Sequence, residues 1–227
     1  MLREIAPSLW VVERPLRFLG IEIGTRMTVI RLDDGSLFLH SPVALEPEVR
    51  QDLERIGSPA LAVAPNRFHH LYAGDYTAAY PDLHLFVAPG LERKRPDLPI
   101  AGVLGEEPRP EWSKEIDQTL FGGFPLANEV VFFHRPTKTL IASDLAFNLG
   151  PDSPLPTRVA MRLLGGYDRF GPTLLERLGI RDRKAARASL ERILAWDFER
   201  VVIAHGRLPE AEARDALRKG YDWLFKG

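Results

Sequence analysis

The stretch V63-A-P-N-R-F-H-H-L-Y-A-G-D75 decides how this chain is read. An apolar run, Leu61 to Ala64, has the length and composition of a buried strand and leads straight into a turn-forming Pro-Asn and two adjacent histidines, His69 and His70. Imidazoles released at the end of a buried strand are in the place where sheet proteins put chemistry, because the sheet holds the backbone while the loop frees the side chain. Without further context, two adjacent histidines are more often a turn or core detail than a metal site.

Two other polar groups share that setting. Asp144 follows the apolar run Thr139 to Ala142, and His205 follows Val201 to Ala204. Taken alone, Asp144 reads as a turn cap and His205 as a partner for a buried carbonyl. Elsewhere, β-prone runs occur at 9–12, 28–32 and 37–39, with Asp33-Asp34-Gly35 as a hairpin turn. A helix is predicted over 47–56, stopped by Gly57, and Asp75 reads as the N-cap of a helix through Ala79. Residues 83–88 read as a strand and the proline-rich 91–112 as a surface loop. Strands at 130–133 and 139–142 flank a turn. Helices at 156–164, 173–178 and 184–196, a strand at 201–204 and a C-terminal helix presenting Leu217, Tyr221 and Leu224 complete the chain.

Composition bounds the function. The chain has 227 residues, 45% apolar and 27% charged, enough for one large globular domain spanning 1–227. A formal net charge of -1 gives no broad attraction to nucleic acid or anionic membrane, and a small-molecule substrate or ligand is the partner expected. The absence of cysteine excludes disulfides, thiolate zinc sites, iron–sulfur clusters and a cysteine nucleophile. No window approaches a membrane span and the first residues lack a signal-peptide core, so a cytoplasmic location is the default expectation.

Four blocks in order resemble the metallo-β-lactamase superfamily: D34-G-S-L-F-L-H-S-P42, the 63–75 stretch, N128-E-V-V-F-F-H-R-P-T-K-T-L-I-A-S-D-L-A-F-N148 and F198-E-R-V-V-I-A-H-G206. The resemblance covers most of the chain and implies an α+β fold, a four-layer αββα sandwich. It also implies a divergent branch. The family's metal loop is His-x-His-x-Asp-His. Matching its last histidine to His70 puts His69 at the aspartate and Pro65 and Arg67 at the first two histidines, while Pro125 or a neighbour stands at the third. The first metal position is thus lost. The second retains His70, Asp144 and His205, with His69 as the weakest member.

The resemblance therefore implies a reduced, mononuclear site holding one Zn, Mn or Fe ion. Asp144 and Arg67 would be the catalytic groups, in a hydrolase of a small ester, thioester, lactone or phosphoester. The alternative is a metal-free module that binds a small molecule or a protein, in which Arg67 occupies the vacated charge position and pairs with Asp144. His40 and His134 are expected to be structural and His84 to face solvent. The apolar 155–178 segment is expected to pack onto the sheet, with an active-site wall as the alternative.

Overall fold

The computed structural model describes residues 1–209 and 212–226. The chain begins with β1 (Arg3–Ala6), β2 (Leu9–Arg14), a small hairpin of β3 (Arg17–Phe18) and β4 (Ile21–Glu22), then β5 (Thr25–Arg31) and β6 (Ser36–His40). Next come α1 (Pro47–Ile56), β7 (Ser58–Ala64), α2 (Ala73–Ala79), β8 (His84–Val87), α3 (Leu91–Lys94) and β9 (Ile100–Val103). Strands β10 (Ile116–Leu120), β11 (Val130–His134), β12 (Thr139–Ile141) and β13 (Phe147–Asn148) follow. Helices α4 (Leu155–Leu163), α5 (Leu174–Gly179) and α6 (Arg183–Ala195), strands β14 (Arg200–Val202) and β15 (His205–Gly206), and α7 (Ala213–Gly220) close the chain.

The first sheet runs β1-β2-β5-β6-β7-β8-β9, and the second β10-β11-β12-β14. Strand alternation sends side chains to opposite faces, and here both faces are buried. Phe38, Leu61 and Val63 point into a core shared with Phe132, Ile141 and Val202 of the second sheet. Their neighbours Leu37, Leu39, Ala62 and Ala64 pack with Val49 and Leu53 of α1 and with Ala73 and Tyr76 of α2. On the far side, Val131, Phe133, Leu140 and Val201 pack against Leu190 and Ile193 of α6 and Leu217 of α7. Three cores between four layers give the expected αββα sandwich, and double-sided burial explains why the strands read as continuous apolar runs.

Some elements differ from expectation. Residues 91–112 are not simply a loop: they supply α3, the edge strand β9, and Trp112, whose ring is buried between the sheets. Asp75 is not an N-cap, since α2 begins at Ala73 and places Asp75 inside its first turn. β1, the β3–β4 hairpin and β10 carried no sequence signal strong enough to be expected. His84 is exposed, as expected, and His40 and His134 are buried. No helix among the described residues is long and apolar enough to cross a membrane.

The topology gathers one edge of both sheets. β6 and β7 are parallel, so His40-Ser41 and the 65–72 loop leave the first sheet side by side. β12 and β14 are parallel, so Asp144 and His205 leave the second sheet together. β11 runs antiparallel to β12, which brings Glu129, just before β11, to the same edge.

Candidate metal centre

Three side chains meet at that edge: His69, Asp144 and His205. His69 Nε2 lies 3.1 Å from His205 Nε2 and 3.3 Å from Asp144 Oδ1, and His205 Nε2 lies 3.2 Å from the same oxygen. The side chains are 7%, 11% and 3% exposed for His69, Asp144 and His205 respectively, so the cluster is nearly closed to solvent.

Each member is held from behind. His205 Nδ1 is 2.7 Å from the Gly24 carbonyl oxygen. A carbonyl only accepts, so Nδ1 carries a proton, and Nε2 is the ring nitrogen turned toward the cluster. The ring also stacks on Phe147, 5.1 Å between centroids. His69 Nδ1 sits 2.6 Å from Ser41 Oγ. Asp144 Oδ2 accepts from Asn66 Nδ2 at 2.7 Å. Burial alone would push the Asp144 carboxyl up, but the His69 and His205 imidazoles outweigh it and hold the group well below the usual carboxylate range.

Asn66 and Glu129, neither anticipated from sequence, organise the loops. Fully buried Asn66 accepts through Oδ1 from the backbone N–H groups of Phe68 (2.8 Å) and His69 (2.9 Å). This Asx-type turn curls the loop and swings His69 inward. Glu129 accepts from the N–H groups of Ser143 (2.6 Å) and Asp144 (2.8 Å), fixing the loop that carries the carboxylate. Burial, and then the nearby Asp144 charge, pushes Glu129 up to about 8. A sequence signal existed for both: Asn two residues before the turn's N–H donors, and a lone acid opening a wholly buried strand.

The structure places two expected groups elsewhere. His70 does not join Asp144 and His205; its Nδ1 lies 3.0 Å from an Arg95 guanidinium nitrogen. Burial, then Lys94 and Arg95, lowers it to about 4. Adjacent residues in this turn face opposite ways, and Asn66 selects His69 for the inner side. Arg67 does not pair with Asp144 either. Its Nη1 donates to the Pro125 carbonyl at 3.2 Å, and the amide of Asn66 takes the position by the carboxylate.

The residues fit a metal ion. Two imidazole nitrogens and a carboxylate oxygen crowd within 3.1–3.3 Å of one another. A tetrahedral centre with bonds of about 2.0–2.2 Å to such ligands requires ligand–ligand edges of about 3.3–3.6 Å, close to the spacing here. Three protein ligands leave a fourth position open. Two cavities, of 560 and 340 Å³, lie beside Gly206. Neither is lined by a cluster side chain.

Fold and edge cluster define a protein of the metallo-β-lactamase fold, and solved structures agree. DIM-1 metallo-β-lactamase superposes with a TM-score of 0.69 at 14% identity, over 98% of this chain and 96% of that one. The metallo-β-lactamase from Pontibacter korlensis gives 0.66 at 11%, over 100% and 99%. FIM-1 metallo-β-lactamase from Pseudomonas aeruginosa, in its mono-zinc form, gives 0.65 at 11%, over 98% and 95%. By sequence, residues 7–164 match the DUF4336 family, a domain of unknown function, and the chain belongs to that family. No curated protein matches it in sequence.

Proposed function

We propose that this chain is a hydrolase with a mononuclear metal site held by His69, Asp144 and His205, acting on a small ester, thioester, lactone or phosphoester. The observation that carries the reading is the convergence of His69 Nε2, Asp144 Oδ1 and His205 Nε2 at 3.1–3.3 Å, with His205 Nδ1 already committed to Gly24. This donor set suits Zn, Mn or Fe. Such an ion, when bound, supplies Lewis acidity toward a water or a substrate oxygen. The chain's own residues orient and exclude. Asp144 stays ionised, Asn66 occupies its second oxygen, Gly24 and Ser41 set the two ring orientations, and Phe147 shields one imidazole face. Pro65, Arg67 and Pro125 offer no imidazole for a second ion, and FIM-1 on this fold has a mono-zinc form.

A metal-free binding module is the second reading. It is favoured by the cluster's ability to close on itself: Ser41 Oγ–H can serve His69 Nδ1 while His69 Nε2–H serves Asp144 or His205. Elemental analysis and thermal melts with added Zn separate the two. The hydrolase reading expects no more than one metal per chain and, at 100 times the dissociation constant, about 2.7 kcal/mol of stabilisation. Wild-type protein that carries no metal and shows no shift with Zn, Mn or Fe leaves only the binding module.

A further inference from the structure

α4 shows its apolar side to solvent. Leu155, Val159 and Leu163 recur every fourth residue, so their side chains stand about 40° apart on one stripe. All three are exposed, Leu163 by 78%. The opposite side of the helix, Thr157 and Met161, is the one buried against the protein. A helix on a water-facing surface has the reverse arrangement. The β3–β4 hairpin, tied to α4 by a bond from Thr157 Oγ1 to the Glu22 carbonyl, ends in exposed Phe18 and in Leu19, which is 84% exposed. Beyond α4, the Leu174 N–H donates to the Leu164 carbonyl, and α5 adds exposed Leu174, Leu175 and Leu178.

α4 carries charge of one sign, while the acids that flank it, Glu22 and Asp152, pair with Arg17 and Arg207. α4 contains Arg158 and Arg162 and no acid. Both arginines lie along one edge of the Leu155–Val159–Leu163 stripe by helical position, and neither forms a salt bridge among the described residues. The nearest acids downstream are committed: Asp168 to Arg207, and Glu176 to the Thr173 cap. The near-zero net charge of the whole chain hides this local excess.

We propose that α4 and the β3–β4 hairpin tip dock on an anionic lipid bilayer, with the leucines and Val159 entering the interface and Arg158 and Arg162 meeting the headgroups. Protruding apolar groups beside arginines that have no salt-bridge partner among the described residues, Arg162 lying over the Tyr167 ring at 3.7 Å, match an interfacial helix, which lies on a membrane without crossing it. Phe18, Leu19, Val159 and Leu163 line neither of the two cavities beside Gly206. A second copy of the chain packed antiparallel through α4 is disfavoured as occupant, because that two-fold arrangement would set Arg158 and Arg162 against their counterparts. The inference is independent of the metal site.

The test is co-sedimentation of the full chain with phosphatidylglycerol–phosphatidylcholine vesicles and with phosphatidylcholine vesicles alone. Wild type should bind the anionic vesicles at low salt and the neutral ones far more weakly. Leu163→Asp should lose more than about tenfold in affinity. Changing Arg158 and Arg162 together to Gln should lose about twenty- to thirtyfold and flatten the salt dependence. Thermal melts verify folding, and Leu19→Asp, on the other element, provides a second apolar variant. Absence of vesicle binding, binding indifferent to both Asp variants, or a wild-type dimer that Leu163→Asp makes monomeric would overturn the proposal, the last outcome assigning the surface to self-association.

Discussion

At the scale of single residues, Asn66 decides which histidine serves the cluster. Its side chain makes bonds to the Phe68 and His69 N–H groups and to Asp144, all in a buried setting. Asn66→Ala leaves these partners unsatisfied and should cost about 2–4 kcal/mol in a denaturant titration, at 1–3 kcal/mol for each buried group stranded and with partial relaxation. The two histidines should then differ sharply under Zn. His69→Ala should abolish the Zn-induced rise in Tm, whereas His70→Ala should retain it. Retention in the first and loss in the second would return the ligand role to His70. Buried His134 gives a pH prediction away from the cluster. Burial, and then Arg135, lowers it to about 4 from an ordinary 6.5. The unfolded chain therefore binds its proton first. Its contribution is fully present above about pH 6.5 and is lost as pH falls toward 4. His134→Asn should remove up to about 1.4 kcal/mol per pH unit from the slope of stability in that window.

At the scale of elements, the short parallel pair β13 and β15 seats His205. Gly206 has a φ of +86°, and a Cβ there would stand 2.3 Å from the Asn148 carbonyl oxygen. That conformation and that distance exclude a side chain. Gly206→Ala should therefore separate β13 from β15, displace the imidazole and lose the Zn shift, with a lowered Tm. An unchanged shift would mean that β15 does not position the ligand. Element-level reading from sequence succeeded for the interior strands, whose apolar runs leave little choice. It failed for β9, where the 91–112 prolines and charges masked an edge strand and a buried tryptophan, and for β10, where polar Gln118 and Thr119 fill buried positions. An edge strand buries little, so its sequence carries little periodic signal.

At the scale of the molecule, the layer between the two sheets is the common support of both loop sets. Trp112, 1% exposed, meets Phe38 and Phe86 edge-on at 5.3 and 5.0 Å and bonds Gln118 through its ring N–H at 3.1 Å. Trp112→Ala should cost about 3–5 kcal/mol by opening a cavity there, measured as a shift of the denaturant midpoint. A loss below 1 kcal/mol would show that the sheets do not rely on this ring. What the sequence determined by itself was the layer plan and the chain positions of the polar groups. Apolar runs ending in His or Asp are local features, and their order resembled one fold. The tertiary structure alone decided which groups meet. Whether His69 or His70 faces Asp144, and whether Asn66 or Arg67 holds it, depends on a turn closed by side-chain hydrogen bonds and on carbonyls and carboxylates brought from distant strands. No periodicity records such partners, because each is chosen by a few ångströms of position after the sheets have packed.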